Sequence, residues 1–101
     1  MDAMAYLGLL IAGMLLCNAL PHLLAGLQGG TFYTPWAAPR GIGRSSAIEN
    51  VLWGCANLLV AVFLIDRIFP KNVPHGLVVL AIGFVGMAVA LATIFGRRQA
   101  R

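Results

Sequence analysis

Charge is what this chain has least of. Three of its 101 residues are acidic and seven basic, so 10% are charged, against 60% hydrophobic. A soluble domain carries about 25% charge, and a mean hydropathy of +0.89 excludes that class. A separate polar domain is missing too: the longest hydrophilic stretch is the linker 28–46. Cysteine is scarce. Cys17 and Cys55 both fall within apolar runs, where a thiol behaves as a small apolar side chain, and their spacing fits no zinc or redox motif. The start, Met1-Asp2-Ala3, lacks the basic region of a signal peptide, and the apolar run after it is too long for one, so it is expected to stay as a first span. No nucleophile stands at a recognisable spacing from a base. His22, Glu49, His75 and the cysteines form no spaced ligand set. Hence no catalytic residue, metal or cofactor is assigned, and an enzyme is the less favoured class. The net charge of +4 gathers at the ends of the apolar runs, which points to membrane topology rather than to nucleic acid.

What is present is three apolar runs, at about 4–27, 47–65 and 76–95. About 20 helical residues cross a hydrocarbon layer of roughly 30 Å. The expected fold is all-α: a transmembrane three-helix bundle forming one multi-pass integral membrane domain over residues 1–101. Pro21 removes a backbone donor, so the first helix is expected to kink or break there. Ser46-Ala-Ile-Glu49 reads as a capping box opening the second helix. The connection 28–46 holds Phe32, Tyr33 and Trp36 among prolines and glycines, the composition of an ordered interfacial loop. Arg40, Arg44, Arg97, Arg98 and Arg101 share one side, and Arg67 and Lys71 the other. The excess of basic residues puts the carboxyl terminus in the cytoplasm and the amino terminus outside. In the third run Gly83, Gly86 and Ala90 make a small-residue seam suited to close helix contact.

Polar groups inside a span are costly, so Asn18, His22, Glu49, Asn50 and Asn57 need partners. Counted from the linker ends of the first two runs at 1.5 Å per residue, Asn18 and Asn57 lie at similar depths of roughly 14 to 16 Å. His22, at roughly 8 Å, falls between Glu49 or Asn50 and Trp53. Asn18 and His22 share a stripe with Ile11 and Leu15, while Asn50, Gly54, Asn57 and Ala61 follow the spacing of one helix face. The first two spans are thus expected to pair as a hairpin with a polar seam, Asn18, His22, Glu49, Asn50, Trp53 and Asn57, with the third span closing the bundle. Such a seam is either structural glue, with His22 repairing the gap at Pro21, or the wall of a water-accessible pocket in which His22 and Glu49 handle a cation or a proton. A second cluster, Arg40, Arg44, Ser45 and Ser46 at a helix amino terminus, is a candidate seat for a lipid phosphate.

The strings Asn18-Ala-Leu-Pro21-His22 and Ser45-Ser-Ala-Ile-Glu-Asn50-Val-Leu-Trp53-Gly54 resemble patterns in small uncharacterised bacterial integral-membrane proteins, a resemblance that implies a bacterial inner membrane and no particular activity. The first span lacks the mid-membrane acid of a small multidrug transporter, and the chain lacks the size of a fluoride channel. Three readings remain. The first is an oligomeric channel or carrier for a small ion or polar solute. The second is an accessory or scaffolding subunit, and the third an intramembrane enzyme acting on a lipid-soluble substrate. The expected partners are the lipid bilayer, further copies of the chain and an anionic lipid.

Overall fold

The computed structural model describes residues 2–39 and 43–99. Three helices follow one another: α1 (Ala3–Leu27), α2 (Ala47–Ile68) and α3 (Gly76–Gln99), with a short 3-10 turn, Pro70–Asn72, before α3. All three are long and apolar enough to cross a membrane. Leu7, Leu24, Leu59, Phe63, Val78, Ile82, Val85 and Val89 point outward. In water they would be a liability, and acyl chains are the solvent that suits them. The protein is a small multi-pass membrane protein.

The first two helices each open on a side-chain cap. Asp2 caps α1 by accepting from Met4 N at 3.0 Å. Ser46 and Glu49 complete the capping box of α2: Glu49 N donates to Ser46 Oγ at 3.2 Å, and Ser46 N donates to Glu49 Oε1 at 2.8 Å. Ser46→Ala is expected to lower stability by about 1 kcal/mol, read as the unfolding midpoint in mixed detergent, with Ser46→Asp restoring most of it.

α1 is the centre of the molecule. α2 and α3 each pack along it and scarcely meet one another. This differs from a third span closing onto a two-helix hairpin, and the glycines explain it. A Cβ at Gly13 would run into the Leu80 carbonyl oxygen of α3, and a Cβ at Gly83 into the Leu10 carbonyl oxygen of α1. The two backbones therefore touch directly, as small residues allow in lipid. On the other side of α1, a Cβ at Gly26 would sit 2.7 Å from Ala47 O of α2. Of the expected α3 seam, Gly83 lies in a contact. Gly86 has nothing within 4 Å, and both it and Ala90 are exposed. Ile11 is exposed as well, so the α1 stripe that meets α2 runs through Ala19, His22 and Gly26.

α1 does not break at Pro21 but runs on to Leu27. Ala19, His22 and Gly26 are buried on either side of the proline, so the neighbouring segments hold the helix in line. The kink is seen in α2. Asn50 and Asn57 each turn their amide back onto the carbonyl four residues earlier, Ser46 O at 2.9 Å and Trp53 O at 2.8 Å. Side chains that compete for the helical carbonyls bend a helix.

The two ends are tied separately. Tyr6 donates to Pro74 O at 3.0 Å, which joins the amino-terminal end to the second connection. Tyr33 stacks on Phe95 with ring centroids 4.8 Å apart, which joins the first connection to the end of α3. The linker is ordered over its described residues by the Phe32–Ser45 bridge and by a hydrogen bond between the Thr34 and Ser45 hydroxyls.

Candidate functional site

α1 and α2 run antiparallel, and their polar residues meet level by level. Asn50, Gly54, Asn57 and Ala61 are the buried residues of α2 and form one face, as the spacing predicts. At the deeper level Asn18 Nδ2 donates to Asn57 Oδ1 at 3.1 Å. Asn57 is 5% exposed, and its own Nδ2 is spent on Trp53 O, which fixes the amide orientation. Asn18 Oδ1 is left without a hydrogen-bond partner among the described residues.

One turn nearer the linker, His22 Nδ1 lies 2.8 Å from Asn50 Oδ1. The direction of that bond follows from Asn50. Its Nδ2 faces three carbonyls, Ser46 O at 2.9 Å, Ser45 O at 3.1 Å and Phe32 O at 3.3 Å. The amide nitrogen is thereby placed, so the atom facing His22 is an oxygen that can only accept. His22 Nδ1 must carry the proton and donate. In the neutral ring the lone pair then sits on Nε2. His22 thus ties α1 to α2 rather than repairing the gap at Pro21.

His22 is 4% exposed, and its Nε2 has no partner among the described residues. Yet no sealed side-chain nitrogen or oxygen there lacks a hydrogen bond, so Nε2 is not sealed. It opens on a cavity of about 220 Å³. Asn18 and His22 of α1 form the floor, Trp53 of α2 one wall, and Leu91 and Phe95 of α3 the other. Tyr33, Thr34 and Pro35 of the linker form the roof. Two acceptors, His22 Nε2 and Asn18 Oδ1, thus belong to residues one helical turn apart on the floor of a chamber whose other lining is aromatic and aliphatic apart from the Tyr33 and Thr34 hydroxyls and the Trp53 indole N–H.

Glu49 takes no part in this chamber. The capping box holds one of its oxygens, and Trp36 Nε1 donates to the other at 3.0 Å. Of the two neighbours that depth left open to His22, Asn50 is the partner and Glu49 is not: the first turn of α2 turns Glu49 to the surface and Asn50 to the seam, because adjacent helical residues point about 100° apart. Trp53 is in place as a wall and meets Trp36 edge-on, with centroids 5.4 Å apart.

The basic cluster is dispersed. Arg44 lies over the Tyr33 ring, 5.0 Å from its centroid, and donates to Tyr33 Oη at 3.3 Å. Ser45 is buried against Thr34, and Ser46 is the helix cap. These groups do not converge on one anion, and Arg40 lies outside the described residues. No group of three or more metal-ligating side chains occurs among the described residues. Nothing in the residue pattern marked Tyr33, Thr34, Pro35, Leu91 and Phe95 as chamber residues. Their role arises from the linker folding back onto the end of α3.

No family model, curated protein or solved structure matches this chain.

Proposed function

We propose that this membrane protein is a one-sided receptor for a small hydrogen-bond donor, bound in the chamber over Asn18 and His22. One observation carries the reading: a histidine that is almost wholly buried, whose Nε2 is held as an acceptor by the bond at its other nitrogen and has no partner among the described residues at a cavity. A lone pair that opens on a cavity is one to which a ligand can donate. The polar groups occupy only the linker half of the bundle. Beyond Asn57, α1, α2 and α3 offer no polar side chain until the far end, where Tyr6 of α1 and Asp66 and Arg67 of α2 stand. A single copy thus supports a pocket better than a polar path across the membrane, so a carrier or binding role suits it better than a channel. The arginine distribution supports a chamber opening on the cytoplasmic side.

A second reading, an accessory subunit with a purely structural seam, is favoured by the Asn18–Asn57 and His22–Asn50 hydrogen bonds, which tie α1 to α2 without any ligand. Cysteine labelling separates the two. In a Cys17→Ala, Cys55→Ala background, Leu91→Cys is expected to react with a water-soluble thiol reagent at least tenfold faster than Ala61→Cys, which lies in the dry α1–α2 contact. Equal inertness at both positions would leave the structural reading standing and end the receptor one.

A further inference from the structure

We propose that the ligand is a neutral, hydroxyl-headed lipid, its head over Asn18 and His22 and its chain in a groove that leads from the chamber into the membrane. This rests on the receptor reading and names its ligand class. The head chemistry follows from what the chamber presents. His22 Nε2 and Asn18 Oδ1 accept, while the Trp53 indole N–H and the Tyr33 hydroxyl of the same lining can donate, so the head that suits the chamber both donates and accepts, as a hydroxyl does. No carboxylate lines the cavity, and the nearest, Glu49, is held at the surface by Ser46 and Trp36. A cationic head would be buried without a counter-charge, which is costly at this depth. An anionic head would meet two lone pairs, with the Arg44 guanidinium turned to Tyr33 and Thr31 instead. A hydroxyl head avoids both penalties, and a pair of neighbouring hydroxyls matches the acceptors of two residues one turn apart.

The chain follows from the space beside the chamber. Trp53 also borders a second, apolar hollow of about 160 Å³, lined by Leu15, Ala56, Asn57 and Val60. Leu15 is one turn below Asn18 on α1, and Val60 is two turns beyond Trp53 on α2. Chamber and hollow together run roughly 10 Å along the helix axis at 1.5 Å per residue. Since α2 and α3 scarcely touch, the gap between them in front of α1 is left for acyl chains. The cavity of about 220 Å³ has room for a glycerol or simple alcohol head. A long-chain alcohol or a glyceride would slide in from the bilayer with its head at interfacial depth.

The test uses the full chain in phosphatidylcholine nanodiscs and a monoacylglycerol bearing a diazirine in its chain. Photolysis is expected to label α2 between Trp53 and Val60 saturably. Unlabelled monooleoylglycerol should compete, whereas its dimethyl ether, oleate and lysophosphatidylcholine should not. His22→Phe and Asn18→Leu should each lower saturable labelling about tenfold, the loss of one hydrogen bond to a buried partner. Because His22 also ties α1 to α2, Leu91→Trp serves as a second variant. It fills the chamber from α3 without touching the seam and should abolish saturable labelling. Labelling that does not saturate, or competition by the dimethyl ether or by oleate equal to that by the alcohol, overturns the proposal. If Leu91→Cys still reacts with the water-soluble reagent in that event, only the lipid assignment fails. If it is inert, the receptor reading fails with it.

Discussion

Asn50→Leu is expected to be the most damaging single change on α2. Asn50 is fully buried and ties three segments: α1 through His22, the linker through Phe32 O and Ser45 O, and the first turn of α2 through Ser46 O. Leucine fills nearly the same space and removes every one of these bonds. Not all the partners are orphaned. Phe32 O keeps Ser45 N at 2.8 Å, and Ser46 O keeps the backbone N of residue 50 at 3.0 Å. Ser45 O and His22 Nδ1 have no other partner among the described residues. Two buried orphans at about 1–3 kcal/mol each exceed the roughly 0.6 kcal/mol average of an interhelical hydrogen bond in lipid. The expected loss is about 2–4 kcal/mol, measured by steric trapping or detergent-denaturant unfolding in bicelles. His22 would also lose the bond that sets its tautomer, so its ring nitrogens in a nitrogen-15 spectrum should shift toward a mixture of tautomers. An unchanged midpoint together with an unchanged histidine spectrum would show that Asn50 does not organise the linker end.

Gly83→Ala and Gly86→Ala should act with opposite signs although they sit three residues apart on one helix. A methyl at Gly83 meets the Leu10 carbonyl oxygen of α1. Backbone cannot swing aside as a side chain can, so the helices must separate along their length. Over-packing of this kind costs about 1–3 kcal/mol, and the upper end is expected because Gly13 fits the same interface from the other side against Leu80 and Phe84. At Gly86 a methyl meets nothing within 4 Å, and alanine in a helix interior is worth about 0.5–1 kcal/mol over glycine. Gly86→Ala should therefore hold or raise the unfolding midpoint while Gly83→Ala lowers it. Combining Gly13→Ala with Gly83→Ala should cost less than the two single losses added together, because a bundle already wedged apart by one methyl accommodates the second. Additive losses would mean that the two glycines occupy independent contacts.

How much of this was legible in the sequence differs from residue to residue. The depth match that joins Asn18 to Asn57 needed only the helical rise and an antiparallel pair. The choice of Asn50 over Glu49 as the partner of His22 was not decidable from depth, since the two are adjacent. It turned on the rotation of α2, which the capping box sets by drawing Glu49 back to Ser46. The glycines of α3 looked alike as a pattern, and only the seating of α1 against Gly83 separates that residue from Gly86. The chamber roof was invisible, because Tyr33 reaches Phe95 across sixty-two positions of chain.

The amino-acid sequence by itself settled the solvent, the number of crossings, the helix starts and the level at which each polar side chain sits. These follow from hydropathy, rise per residue and caps, all of which act within a few turns of one helix. The tertiary structure alone decided that α1 stands at the centre, that α2 and α3 stay apart, and that the linker folds over the gap so that a histidine nitrogen faces open space. Those outcomes depend on which backbones can touch, and that is fixed by the shape of two surfaces together and by neither strand of sequence alone.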